Sequence, residues 1–299
     1  MLRRGLLFLW MNIAVLIVLT LTLTILESVF GITLDLYGFN YTSILIFSAI
    51  IWFSGSFISL ALSKWMAKKA YRITLIQKDD VYSLSEKEKI VWQVVEELAE
   101  RNHITMPEVG IYQDRDPNAF ATGRSKNTSL VAVSSWLLDA MDRNAVEWVI
   151  GHEMAHILNG DMVTMALLQW VLNTFVIFFA RIVSNIFNSY TDGKFGMLWY
   201  YAINIALQIL FWIWASLILM KFSRYREFRA DEGSARFVWK EKMIAGLKAL
   251  KNVQAGASLD SSKLAAMKIS TRKKTWMRVL FSSHPDLDER IKRLEDLII

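Results

Sequence analysis

The stretch WVIGHEMAHILNGD, Trp148 to Asp161, decides how this chain is read, because two of its four histidines stand four residues apart with a glutamate between them. On a helix, residues at i and i+4 share a side, so His152 and His156 can present ring nitrogens about 2.0–2.1 Å from one zinc ion. Glu153 lies next to the first histidine and is placed to touch a water on such an ion instead of the ion itself. The plain alternative is a solvated polar helix face, and it has to explain why half of the histidines fall here. The preceding residues, DRNAVEW, suit a helix start, with Asn144 and Glu147 at capping-box spacing.

Two imidazoles do not complete a catalytic zinc site, which needs a third protein ligand and one open position. The chain has no cysteine, so any metal must be held by imidazole and carboxylate. The most suggestive acidic pair is in RYREFRADEGSARF, where Glu227 and Asp231 are also four apart. Like charges at that spacing repel in an ordinary helix. A cation accounts for the pairing if Glu227 binds it and Asp231 accepts a hydrogen bond from a ligand imidazole. The other reading is that Arg224, Arg226 and Arg229 simply balance a charged helix face.

Composition places these residues in a membrane protein. Hydrophobic residues make up 54% of the 299 positions, with 12 Trp and 17 Phe, more than a soluble domain carries. Four apolar runs approach the roughly twenty residues a helix needs to cross a bilayer: Leu6 to Leu26, Tyr41 to Leu62, about Met165 to Phe187, and about Met197 to Met220. The first follows Arg3 and Arg4 but lacks a small-x-small cleavage site, so it reads as a retained anchor. Gly55, Ser59 and Ser63 in the second run suit close helix packing.

Lysine and arginine set the orientation. Lys64, Lys68, Lys69 and Arg72 follow the second span, Lys221, Arg224, Arg226 and Arg229 follow the fourth, and the two opposite loops, GITLDLYGFN and NSYTDGKFG, share one lysine. The positive-inside rule then predicts that both termini, residues 64–161 and residues 221–299 are cytoplasmic. Arg181, within the third span, either snorkels to the interface or pairs inside the bundle. The interval between His156 and Glu227 is almost entirely the third and fourth spans, so both halves of the site return to one membrane face. The net charge of +6 is explained by span-flanking cations at an anionic leaflet; the basic residues form no recognition face for nucleic acid.

The expected organisation is a transmembrane hairpin over 1–63, a protease part over 64–161 with a small sheet and the HExxH helix, a second hairpin over 162–220, and a protease part over 221–299 with the third ligand and a C-terminal helix. Ser85 and Glu88 have capping-box spacing ahead of an amphipathic helix, and EVGIY, NAFATG and SLVAVS read as strands. Asn118, Ala119 and Phe120 either belong to an edge strand to which an extended substrate adds, or to an ordinary core strand. KNVQAGASLDSSKLAAMKIS is small, polar and aperiodic, the pattern of a loop. His284, before Pro285 at a predicted helix start, is a candidate donor to the anionic intermediate, with a purely capping role as the alternative.

The motifs NAFATG, HEMAHILNGD, NTFVIF, SRYREFRAD and SSHP together resemble the HtpX-type integral-membrane zinc metalloproteases, which are related to the prenyl-protein proteases that remove CAAX tripeptides. The resemblance covers essentially the whole chain. It implies an α-helical membrane protein with four transmembrane helices and a cytoplasmic α+β zincin-like domain holding one Zn²⁺. By the same resemblance His152, His156 and Glu227 are ligands, Glu153 is the catalytic base and Asp231 supports a ligand. It further implies a bacterial inner membrane, damaged or unfolded membrane proteins as substrates, and membrane protease partners. Three rivals are weaker: MDRNAVEW excludes burying the motif in a bilayer core, no G-x-S-x-G serine elbow occurs, and a transporter or metal-binding scaffold has little need of Glu153.

Overall fold

The computed structural model describes residues 41–114, 118–192, 194, 196–248, 251 and 285–298. The first expected span, His284 and all but Lys251 of the expected loop KNVQAGASLDSSKLAAMKIS lie outside the described residues. The chain divides into two compact units, one formed by Met1–Ala61 with Thr164–Leu219 and the other by Leu62–Val163 with Met220–Ile299.

The apolar helices run through the first unit and extend past its limits in the chain. Helix α1 covers Tyr41–Tyr71, α5 covers Asp161–Tyr190 and α6 covers Gly196–Val238. Among the described residues these three are long and apolar enough to cross a membrane. Their outward surface is made of residues water would not tolerate in such density, including Phe175, Phe179, Leu198, Trp199, Trp212 and Trp214. Polar side chains turn inward instead. Asn204 donates to Ser184 Oγ at 3.3 Å, Tyr200 donates to Asn185 Oδ1 at 2.8 Å, and Trp170 donates to the Ala49 carbonyl at 2.9 Å. Such contacts join helices where no hydrophobic driving force between them exists.

The fourth expected span ends near Met220 by hydropathy, but α6, 43 residues long in all, runs on to Val238. Charge ends the apolar run without ending the helix, since Lys, Arg and Glu are good helix formers. Glu227 and Asp231 therefore stand on the same unbroken helix.

The second unit is an α+β layer. Helix α2, Glu86–Arg101, begins with the expected capping box: Ser85 accepts from the Glu88 N–H while Glu88 accepts from the Ser85 N–H. Its apolar stripe, including Ile90, Val91, Val95 and Leu98, is buried. Strands β1 (Thr74–Leu75), β2 (Glu108–Tyr112), β3 (Ala119–Gly123) and β4 (Ser129–Ser134) form one sheet in the order β1-β2-β4-β3. β4 pairs parallel with β2 and antiparallel with β3, and every one of its residues is buried. The three strand-like runs of the sequence are thus all strands, and among the described residues β3 is an edge strand. Phe120 packs on the sheet against Tyr71 and Tyr112, ring centroids 5.1 and 5.6 Å away.

A short helix α3, Ser135–Ala140, leads to α4, Arg143–Asn159, which carries the HExxH residues. Its cap is Asp142, whose side chain accepts from the Ala145 N–H, and not Asn144. Glu147 is unavailable for a capping box because it accepts from Arg143 at 3.0 Å and Lys242 at 2.8 Å. A last helix α7 covers Leu287–Glu295.

Two local features aim the site. Gly160 ends α4 at φ +68°, a left-handed geometry that favours glycine, so the chain reverses and Asp161 opens α5 facing back at His156. In the other, α4 and α6 approach so closely that a β-carbon on Gly151 would lie 2.9 Å from Ser234 Oγ, and one on Gly233 2.9 Å from Ala155 Cβ. Ser234 also donates to the Trp148 carbonyl at 3.2 Å. Small residues on both helices thus bring the histidine face of α4 against the carboxylate face of α6.

Candidate metal centre

His152 and His156 lie one above the other on α4, with ring centroids 4.7 Å apart. Each uses its two nitrogens differently. His152 Nε2 stands 3.4 Å from Glu227 Oε2, and His156 Nε2 stands 3.4 Å from Glu227 Oε1. These separations are long for hydrogen bonds. They match the roughly 3.3–3.4 Å expected between two ligands each about 2.0–2.1 Å from a tetrahedral ion. The donor atoms of His152, His156 and Glu227 all fall within 4.8 Å of one another, and all three residues are buried. Among the described residues this is the one such grouping. A buried carboxylate facing two imidazole nitrogens, with a donor set of N, N and O, fits a divalent cation of the zinc type.

The other nitrogens face carboxylates. His156 Nδ1 is hydrogen-bonded to Asp161 Oδ2 at 2.6 Å, and His152 Nδ1 lies 3.0 Å from Asp231 Oδ1. The first is a hydrogen bond that favours Nδ1–H toward an acid and Nε2 toward the cluster, the tautomer a ligand needs; the second is an ion-pair contact that sets His152 Nδ1 beside Asp231 and Nε2 toward Glu227. Asp231 is held in turn by Arg290 from α7, with Nε donating to Oδ2 at 2.7 Å and Nη2 to Oδ1 at 2.5 Å. Arg226 donates to Glu227 Oε1 at 3.0 Å, the same oxygen that faces His156 Nε2.

Burial disfavours charge on both histidines, but the surrounding acids outweigh it. For His152, burial lowers the pKa, while Asp231 and Glu227 push it up to about 9. For His156, burial again opposes charging and the carboxylates of Asp161 and Glu227 raise the pKa above the ordinary value. A cation binding at these nitrogens competes with the proton that the raised pKa values favour.

Glu153 is half-buried on α4 and is not one of the clustered donors. Asn118, Ala119 and Phe120 belong to the edge strand and its approach; the Asn118 N–H donates to Ser134 Oγ at 3.0 Å. Asp161 and Arg290 are site residues that the sequence reading passed over. Asp161 closes the quoted stretch, and the glycine before it was the available signal for a turn back toward His156. Arg290 offers no local signal.

Residues 85–298 match peptidase family M48. The chain is 44% identical to Protease HtpX of Tolumonas auensis over 301 residues, covering 99% of each. It is 46% identical to Protease HtpX of Pasteurella multocida over 98% of each, and 44% identical to the Protease HtpX homolog of Bacillus subtilis over 99% of each. The crystal structure of S. mikatae Ste24p superposes with a TM-score of 0.59 at 15% identity, spanning 95% of this chain and 67% of that one, a likeness of fold. The chain belongs to peptidase family M48 as an HtpX-type membrane metalloprotease.

Proposed function

From that membership and the site geometry we propose a zinc-dependent endopeptidase that cleaves damaged or unfolded membrane proteins on the cytoplasmic side of a bacterial inner membrane. The observation that carries the reading is the convergence of His152, His156 and Glu227 donors within 4.8 Å. These three residues would hold one Zn²⁺ per chain. When bound there, the ion supplies Lewis acidity to the scissile carbonyl and makes water a better nucleophile at neutral pH.

The chain's own groups do the rest. Glu153, beside the ligands but outside their cluster, accepts the proton of the attacking water and returns it to the leaving amine nitrogen. Asp231 and Asp161 keep His152 and His156 in the ligating tautomer. Edge strand β3 takes an extended substrate by backbone pairing at Asn118, Ala119 and Phe120, which its terminal place in the sheet supports. His284, next to Pro285 ahead of α7, donates to the anionic intermediate. The cytoplasmic assignment rests on the lysine and arginine asymmetry, and the division into two membrane hairpins and two protease parts rests on the apolar runs.

The test is metal analysis and proteolysis on one preparation. Purified full-length protein in detergent is expected to contain zinc at about one per chain, to lose cleavage of an unfolded membrane-protein substrate after chelation, and to regain it on zinc addition. Chelator-resistant cleavage would overturn the assignment.

A further inference from the structure

We propose that Arg290 is a positioning residue for the metal centre, through which docking of the C-terminal helix α7 sets the orientation of His152. The proposal rests on the metal-site reading above. Asp231 is 2% exposed and Arg290 6% exposed, so this is a buried ion pair between α6 and α7. Its geometry is a two-pronged fork, Nε on Oδ2 at 2.7 Å and Nη2 on Oδ1 at 2.5 Å. The second of those oxygens is the one that faces His152 Nδ1 at 3.0 Å.

A carboxylate turns easily about its last torsion, which is broad and roughly two-fold. A single donor would leave Asp231 free to swing. A guanidinium fork pins both oxygens in one plane, and with them the oxygen that lies nearest His152 Nδ1. It also neutralises a buried carboxylate that already lies beside buried Glu227, so the site is not over-charged when it takes up a dication.

Helix α7 is well placed to deliver that fork. Ile291 and Leu294 are buried, and the Arg293 guanidinium sits 4.1 Å over the ring of Phe228, the residue after Glu227. Lys240 donates to the carbonyls of Glu295 at 3.0 Å and Leu297 at 2.7 Å, and Lys251 pairs with Asp288. One helix late in the chain is thus tied to the helix that bears Glu227 and to the imidazole of the other. Metal loading and α7 docking should be coupled, and coupling between two such events is reciprocal.

Two measurements on the full chain test this. In zinc titrations against a chelating dye, Arg290→Met is expected to weaken binding about ten- to a hundredfold, with Arg290→Lys intermediate. Asp231→Asn is expected to weaken it comparably, and the double variant by no more than about threefold beyond Asp231→Asn alone, because both act through one contact. The second measurement needs no variant: amide exchange of Leu287–Glu295 in wild-type protein should slow about tenfold or more when zinc is restored to the stripped protein. Wild-type zinc affinity in Arg290→Met, losses that multiply in the double variant, or zinc-independent exchange of α7 would each overturn the proposal. Wild-type protein that takes up no zinc would instead fail the metal-site reading and take this inference with it.

Discussion

Gly233→Ala should separate the two helices that assemble the site while leaving every proposed ligand in place. A β-carbon at position 233 would lie 2.9 Å from Ala155 Cβ, where ordinary contact is 3.4–4 Å. Neither methyl can rotate away, so the backbones must part by about 0.5–1 Å in a close-packed interior. Glu227 is less than two turns back along α6, and His152 and His156 flank Ala155. Metal sites tolerate roughly 0.2 Å in ligand distance, so the displacement is several times the tolerance. Zinc affinity is expected to fall about ten- to a hundredfold, roughly 1.4–2.8 kcal/mol. Stability of the metal-free protein should change less. Overpacking costs about 1–3 kcal/mol, and alanine recovers about 0.5–1 kcal/mol over glycine in a helix interior. A dye-competition titration and thermal unfolding of the zinc-stripped protein read the two quantities separately. Wild-type affinity together with raised stability would show slack between α4 and α6, and the close approach would then not be what sets the site.

Glu227→Ala should strip zinc or weaken it severely; full retention of zinc by this variant alongside loss in Asp231→Asn would mean the two carboxylates have exchanged roles. Asp231→Ala should also leave Arg290 buried without its acid, destabilising the fold by about 3–5 kcal/mol, and chemical denaturation at matched zinc occupancy measures it. The pH dependence follows from His152. Its pKa is raised to about 9, so the imidazole is protonated below that value and neutral above it. Zinc affinity of the empty protein should therefore keep rising from pH 7 to about 9, and calorimetry at pH 7.5 in two buffers of different ionisation enthalpy should register at least one proton released per zinc. Absence of proton release would mean that the histidine is already neutral. Reporters fused after Lys69 and at Ile299 should both read cytoplasmic and one within NSYTDGKFG exterior; an exterior signal at Ile299 would mean a miscounted span.

What the sequence made legible was whatever is written in local pattern. The stripe of α2, its capping box, the short strand-like runs of β2 to β4 set between turn residues, and the i, i+4 pairs at His152/His156 and Glu227/Asp231 are each local signals within one element. The two-residue strand β1 is too short to show alternation. The cap of α4 was misplaced because Asn144 and Glu147 match a spacing, whereas Asp142 takes the cap and distant Lys242 takes Glu147. Arg290 lies 59 residues beyond the aspartate it clamps, and only the docking of α7 on α6 brings them together. No periodicity encodes a contact of that range.

In the proposed mechanism a metal held by His152, His156 and Glu227 serves peptide hydrolysis with Glu153 as base. Glu153→Gln tests it most directly, since the amide keeps the size of the side chain and cannot take a proton. Zinc content and cleavage of an unfolded membrane protein are to be measured on the same preparation, beside wild type. The expected result is wild-type zinc, about one per chain, with cleavage reduced by at least about a hundredfold. Undiminished cleavage by a zinc-loaded Glu153→Gln protein would contradict the account.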